Sequence, residues 1–397
     1  MYFQVLDSKA GCYGVYVDGK IYDIREVPQN LSKTWSYSRQ LDSLAVECAS
    51  IYTAGKNIEQ SCPEFFVEDW KKISKKMKAF LKSFITSGVS LQDHCFYDLV
   101  PDRFLLEYNL AKTIITKHIF ETVERPVNYD FLHAIVAATD KIAGRDLNID
   151  EKELQKHFSN PSSRRIYKAV KNGKRRAVYN VFGSITGRLS TYSSSFPILN
   201  LDKRLRGCLK PTNDLFLELD FNSAEIRVLL SLSGVEQPEE DIHIWNGKNI
   251  FATQKFSREE SKKAFFSWLY NPNAEHKSAE KVYNRSKVKE LYYKDGVVTN
   301  PFKRSFDSDE FRGLNHIVQS TTSDLLLFQM LRLDRMLEGK KSFISFTLHD
   351  SIVIDLDREE KDLIFALVDE FKKTPLGNFK ANVALGDNFG NMRKVDV

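Results

Sequence analysis

The sequence predicts an α+β chain of two or three tightly joined domains. Three observations predict it. In Leu215–Gly234 the period changes: Leu215, Leu217 and Leu219 alternate with Phe216 and Glu218, then Ile226, Leu229, Leu230 and Ser233 share one helical face. Ser342–Leu356 (SFISFTLHDSIVIDL) reads as strand, turn, strand. Residues 103–143 carry apolar side chains at helical spacing. With 397 residues, 42% of them hydrophobic, the chain is globular and long enough for separate cores.

Composition narrows the setting. Net charge is only +5, but the basic residues are clustered, and clustering bears on an anionic partner more than the total does. The five cysteines are scattered without a CxxC, which argues against a zinc site or disulfide framework. It argues instead for a reducing, intracellular compartment such as cytoplasm or nucleoid. The first residues, MYFQVLDSKAG, are neither a signal nor a transit peptide, and no apolar run has the length of a membrane span.

In chain order, residues 1–26 read as a β-hairpin. YFQVLDS and CYGVYV are strand-like, Asp18-Gly19 is a turn signal, and KIYDI returns. Residues 40–53 look helical. Residues 68–86 form an amphipathic helix with Trp70, Ile73, Met77, Phe80, Leu81 and Phe84 on one face and lysines opposite, where a solvated face is the plain reading. This is a small α/β domain with no catalytic constellation of its own.

Within 103–143, Pro126 breaks the helical run, and a second helix follows Asn128–Asp130 and stops at Gly144. Ser163–Arg176 then holds seven basic residues: Arg164, Arg165, Lys168, Lys171, Lys174, Arg175 and Arg176. The stretch itself contains no acid. It is either a solvated loop or a helical-hairpin tip matched to backbone phosphates. Gly183–Asn200 is rich in Ser, Thr and Gly with one Arg188, either an ordinary loop or a segment suited to a nucleic-acid backbone or minor groove.

Asp220 stands at the exit of the predicted strand, where a carboxylate is either a metal ligand or a cap for the next helix. Asp241-Ile-His243 sits near a turn. Ser257 and Glu260 have capping-box spacing and open a helix on which Arg258, Lys262, Phe266 and Tyr270 recur every four residues. Each step of four overshoots a turn by about 40°, so the four make one slowly winding stripe. Cations at one end and rings at the other suit the phosphates and base of a nucleotide. A further helix is read over Phe311–Leu333, with Asn315 and Gln319 four apart. Asp350 lies at the bend of the last hairpin beside His349, where local hydrogen bonding is the competing reading.

Taken together, these pieces resemble the family A (Pol I-like) DNA polymerases. Asp220-Phe-Asn-Ser-Ala-Glu-Ile-Arg227 is similar to DYSxxELR, and Arg258 to Tyr270 matches RxxxKxxxFxxxY. Leu348-His-Asp350 is similar to VHDE, Thr186 to Ser190 to TGRLS, and Gly386-Asp-Asn-Phe389 to G-x-N-W. Asn315 and Gln319 match the helix that touches the minor groove in that family. The resemblance runs in the family's order over residues 105–397. It implies a right hand of palm, fingers and thumb with an antiparallel palm sheet. The divisions are 1–105 (small N-terminal α/β domain), 106–182 (thumb with basic tip), 183–235 (palm), 236–310 (fingers) and 311–397 (palm).

The resemblance further implies template-directed extension of a primer 3′-hydroxyl with dNTPs. Asp220, Asp350 and the Phe221 backbone carbonyl would hold two Mg2+ ions, with Mn2+ as a substitute. Arg258, Lys262 and His243 would bind phosphates, while Phe266 and Tyr270 pack on base and sugar. Glu225 would block a 2′-hydroxyl. Arg188, Asn315, Gln319 and His349 would monitor the primer–template minor groove. The basic tip would grip duplex phosphates. Ser351 departs from the family, replacing the Glu of VHDE, and Asn271 stands where Gly usually follows the Tyr. Asp7-Ser-Lys9 and Tyr108 to Lys112 carry lysines where proofreading motifs carry acids, so residues 1–105 read as an inactive exonuclease remnant or an unrelated accessory domain. Neither reading predicts proofreading. The alternative function is a non-catalytic pseudo-polymerase that holds primer–template DNA.

Overall fold

The structure is a computed structural model that describes residues 3–5, 14–17, 20–23, 60–89, 99–252, 255–271 and 273–395. The chain forms two compact units, Met1–Ala137 and Ala138–Val397.

In the first unit, strands β1 (Phe3–Val5), β2 (Gly14–Val17) and β3 (Lys20–Asp23) form an antiparallel meander. Val17 pairs with Lys20, the register that a two-residue connection requires. The helix expected over 40–53 and the Asp7–Lys9 segment lie outside the described residues. Helices α1 (Val67–Thr86) and α2 (Asp102–Thr122) share a core of Trp70, Ile73, Met77, Phe104, Ile115 and Ile119. The lysine face of α1 is solvated: Lys71, Lys72 and Lys76 make exposed ion pairs with Glu68, Asp69 and Glu107, and the Lys76 ammonium also lies over the Phe104 ring, 4.6 Å from its centroid. Tyr108 packs on Trp70 and Phe104. After Pro126, α3 (Tyr129–Ala143) runs across the boundary between the units.

The second unit is built on a five-stranded antiparallel sheet of β4 (Leu215–Phe221), β5 (Phe343–Leu348), β6 (Ser351–Leu356), β7 (Ala381–Gly386) and β8 (Arg393–Val395), in the order β5-β6-β4-β7-β8. The central strand β4 explains the layout. Leu217, Leu219 and Phe221 point to one face, and Phe221 stacks on Phe371 of α12 (Leu363–Lys372) with ring centroids 4.1 Å apart. Phe216, Glu218 and Asp220 point to the other. At the Phe216 end that face is closed by edge-on contacts with Phe346 and Phe389, and at the other end it carries carboxylates.

Around the sheet lie α4 (Glu151–Lys156) and α5 (Pro161–Lys171), a helical hairpin. Then come α6 (Ala224–Leu232), α7 (Ile242–Asn249), α8 (Arg258–Tyr270), α9 (Lys277–Tyr283), α10 (Arg285–Tyr292) and the 24-residue α11 (Gly313–Met336). The expected capping box of α8 forms, with Ser257 and Glu260 bonding each other's backbone. Helix α6 departs from its amphipathic pattern. Seven of its nine residues are buried, including Arg227, because neighbours cover it on nearly every side. Among the described residues, no helix is long and apolar enough to cross a membrane.

Candidate active site

Asp220 is the penultimate residue of β4. It is paired across the sheet with Ser351 of β6 on one side and Asn382 of β7 on the other. It does not cap α6: the N-cap is Ser223, in the left-handed region at φ 55°, with no side-chain cap bond. The β5–β6 register pairs Leu348 with Ser351, which leaves a two-residue turn of His349 and Asp350. His349 takes φ 54° to close it. The turn therefore sets Asp350 next to Ser351, the cross-strand neighbour of Asp220, and puts the two carboxylates at the same end of the sheet, where Asp350 acts electrostatically on Asp220. No hydrogen bond engages Asp350 among the described residues, so local turn bonding does not explain it.

The electrostatics fit a cation. Burial pushes the Asp220 carboxyl up to about 6; Glu218 and Asp350 add to the rise, while the Asn382 amide (3.1 Å) and Lys394 oppose it. Asp350 is raised by burial and by Glu225, against Arg188 and His349. Neighbouring carboxylates drawn out of water are each stabilised by a divalent ion. Among the described residues, no group of three or more His, Cys, Asp or Glu is gathered at one point. The oxygens that could hold an ion here are hard ones: two carboxylates and the Phe221 carbonyl. So small a protein donor set suits Mg2+, which keeps waters and takes substrate phosphates.

Glu225 opens α6 and is pinned from two sides. Arg188 Nη2 donates to its Oε1 at 2.5 Å and the Tyr270 hydroxyl to its Oε2 at 2.6 Å. Arg188, His349 and Asp350 line a cavity of about 460 Å³ together with Gly187, Asn200 and Ser323. Tyr270 and Asn315 line a second of about 860 Å³, with Lys277, Lys289 and Arg312. Asn315 Oδ1 is buried there without a hydrogen-bond partner. Gln319 is half-buried one turn along α11.

The stripe on α8 forms as its spacing requires. Phe266 and Tyr270 stack with centroids 5.7 Å apart and planes 6° apart. Lys262 is exposed and has no ion pair among the described residues. Arg258 donates to Asp241 Oδ2 through Nε (3.2 Å) and Nη2 (3.0 Å), and to Glu259. Against the effect of burial, hydrogen bonds from Asn222 and Arg258 hold the Asp241 carboxyl down at about 2. His243 is 1% exposed and shares a 2.8 Å hydrogen bond between its Nε2 and Ser223 Oγ. Burial lowers its pKa to about 4, so it is a neutral imidazole at physiological pH.

No family model matches the chain. It is 24% identical over 335 residues to DNA polymerase I of Lactococcus lactis subsp. lactis (strain IL1403), and equally to that of L. lactis subsp. cremoris (strain MG1363). Those alignments cover 68% of this chain and 38% of each relative, so the chain spans less than half their length. The polymerase domain of Pol1 from M. smegmatis, solved in complex with DNA primer-template and dNTP, superposes with a TM-score of 0.59 at 12% identity. The superposition covers 72% of this chain and 76% of that one. The chain has the fold of a family A-like polymerase domain.

Within this polymerase fold, the basic tip differs most from its sequence pattern. Its stretch contains no acid, yet space supplies two. Glu151 binds Lys171 (2.5 Å) and Arg175 (3.0 Å), and Asp146 binds Arg176 (2.6 Å). Arg164 bonds the Phe158 carbonyl and Lys174 that of Ser193. Arg165 and Lys168 remain exposed without an ion pair among the described residues. Sequence reasoning placed Asp241 near a turn without its hold on Arg258, and missed Asn382, which bonds Asp220, and the role of Arg227. That guanidinium is fully buried. It bonds the carbonyls of Asn222, Pro238 and Glu240 and the side chains of Asn222 and Gln237. Its place at the end of the DFNSAEIR stretch, on the apolar side of α6, was the available signal.

Proposed function

We propose that this chain is a template-directed DNA polymerase that extends a primer 3′-hydroxyl with dNTPs and does not proofread. The observation that carries the reading is the presence of Asp220 and Asp350 at the same sheet end as the Glu225–Tyr270 contact, with the α8 stripe leading away from it. Its parts are a thumb (106–182), a palm (183–235 and 311–397) and fingers (236–310). Asp220, Asp350 and the Phe221 carbonyl hold two Mg2+ ions, or Mn2+ in their place. When bound, the ions supply a lowered pKa at the primer hydroxyl and charge stabilisation at the departing pyrophosphate.

The chain's own residues do the rest. Lys262 attracts the triphosphate directly. Arg258 joins it by exchanging Asp241 for phosphate oxygens, the better bidentate partner at high negative charge. His243 takes part as a neutral hydrogen-bonding group. Phe266 and Tyr270 present a continuous ring surface to base and sugar. Glu225, hydrogen-bonded by Arg188 and Tyr270, fills the space a 2′-hydroxyl needs. Arg188, Asn315, Gln319 and His349 face the minor groove of the duplex, and Arg165 and Lys168 are the tip residues available to its phosphates. Ser351 leaves the carboxylate pair intact, because its hydroxyl bonds the Leu348 carbonyl and it only flanks Asp220.

Primer extension with Mg2+ and dNTPs tests the activity; no extension at any metal concentration would make the chain a binding protein for primer–template DNA. Glu225→Ala is expected to raise incorporation of a ribonucleotide relative to its deoxy counterpart by about tenfold or more, the size of effect a lost steric contact gives. An unchanged ratio in single-nucleotide kinetics would remove Glu225 from the gate. A 5′-labelled primer incubated with Mg2+ and no dNTP is expected to keep its length; a ladder of shorter products would show that an exonuclease is present.

A further inference from the structure

The Gly187–Arg188 turn rests on a buried ion pair that lies outside every motif read from the sequence. Asp324, fully buried on α11, accepts from Arg304 Nε at 2.9 and 3.1 Å, from Arg304 Nη2 at 2.7 Å and from Asn300 Nδ2 at 2.7 Å. Arg304 is itself 8% exposed, and its backbone N–H donates to Asn300 Oδ1 at 3.0 Å. It sits in the connection between the antiparallel strands Val297–Thr299 and Ser305–Asp307. The guanidinium is thus fixed in orientation by a bidentate contact that a point charge could not reproduce.

Gly187 lies on that guanidinium. Its φ is +77°, and a Cβ there would stand 2.5 Å from Arg304 Cζ, 2.6 Å from Nε and 2.7 Å from Nη2. Only glycine combines this backbone conformation with so close an approach. The next residue, Arg188, holds Glu225. Arg188 is 49% exposed, and a long, solvated side chain on its own contributes little to fixing a partner. Of the two donors to Glu225, Tyr270 belongs to a helix, whereas Arg188 belongs to a loop with no hydrogen-bonded ladder at that point. The turn's own bonds, from the Gly187 N–H to the Ser184 carbonyl (3.1 Å) and between Ser184 Oγ and Thr186 Oγ1 (3.1 Å), shape it locally, and the close approach of Gly187 to Arg304 ties it to the rest of the fold.

We propose that the Arg304–Asp324 pair is a positioning device for sugar selection: it seats the Gly187–Arg188 turn and, through Arg188, holds the Glu225 carboxylate against a 2′-hydroxyl. The proposal rests on the polymerase reading above. Arg304 and Asp324 touch no substrate in it, and their effect is transmitted through two residues.

The test is single-nucleotide kinetics with the full chain, comparing kcat/KM for a dNTP and the matching NTP on one primer–template. Arg304→Lys keeps the charge and loses the fork. The ribo-to-deoxy ratio is expected to rise about tenfold, and to change much less when Arg304→Lys is added to Glu225→Ala, since the two act on one contact. A merely structural role lowers both nucleotides together, so an unchanged ratio overturns the proposal, as does an additive double variant. Gly187→Ala approaches the same contact from the other side and is expected to move the same ratio; it keeps the test decisive if Arg304→Lys does not fold. Failure of the wild-type chain to extend a primer would overturn the polymerase reading and this proposal with it. Normal extension with an unmoved ratio overturns this proposal alone.

Discussion

Asp220→Asn is expected to abolish primer extension and, in the metal-free protein, to raise stability. The first effect follows from the ligand. Asn lacks the negative charge that would hold a divalent ion in the proposed reaction, and the several kcal/mol of charge stabilisation such an ion would supply amounts to a loss of about a thousandfold or more in rate. The second follows from burial. The folded-state value of about 6 lies above the ordinary 3.8, so the folded chain holds the proton more tightly than the unfolded one. Below the ordinary value of 3.8 both states are mostly protonated and Asp220 costs little. Between pH 4 and 6 the unfolded state ionises first and stability falls. Above pH 6 the full penalty stands, about 3 kcal/mol for a shift of this size. Asn retains an oxygen for the Asn382 amide and carries no charge to desolvate. Thermal unfolding in EDTA at pH 4 and pH 8 checks it. The variant should match the wild type at pH 4 and exceed it at pH 8. Equal midpoints at pH 8 would mean that Asp220 is solvated, and the cation-binding argument would lose its electrostatic basis.

Such a site is destabilised until its ligand arrives. That tension is legible in the sequence only in outline. A carboxylate at the end of an apolar strand and another at a hairpin bend can be read from period and turn signals, because both depend on near neighbours. The α8 stripe is legible for the same reason: four-residue spacing fixes which side chains share a helix face. What could not be read depends on distant parts of the chain. Asp241 meets Arg258 across 17 positions, Glu151 pairs with Lys171 and Arg175 of the basic tip from 20 or more positions away, and Asn382 reaches Asp220 across 162. Local pattern also misjudged α6, since Arg227 looks like a solvated residue until the loop at Gln237–Glu240 is wrapped around it.

That wrapping leads to the second large expectation. Arg227→Met should destabilise the chain by about 3–5 kcal/mol, because it leaves the buried carbonyl of Asn222 and the partly buried carbonyls of Pro238 and Glu240 short of their donors. Methionine fills similar volume, so the loss is of hydrogen bonds more than of packing. Arg227→Lys should recover only part of it, since one ammonium cannot span acceptors that the planar fork reaches from both sides. Burial lowers the Arg227 pKa to about 10, which leaves it charged at neutral pH. The consequence extends to the nucleotide. Asn222 Oδ1 accepts from Arg227 Nη2 and from the Ile242 N–H, and Asn222 Nδ2 donates to Asp241, which caps α7 and holds Arg258. Arg227 therefore orders the joint between β4, which carries Asp220, and the start of α8, which would meet the phosphates in the proposed polymerase reaction. In a variant assayed well below its unfolding midpoint, KM for dNTP should rise more than kcat falls, since the chemistry at the carboxylates is untouched while the phosphate-binding end loses its support. Urea unfolding and steady-state kinetics measure the two effects separately. A variant within 1 kcal/mol of wild type would show that water takes the place of the guanidinium, and that the loop from Gln237 to Glu240 holds itself.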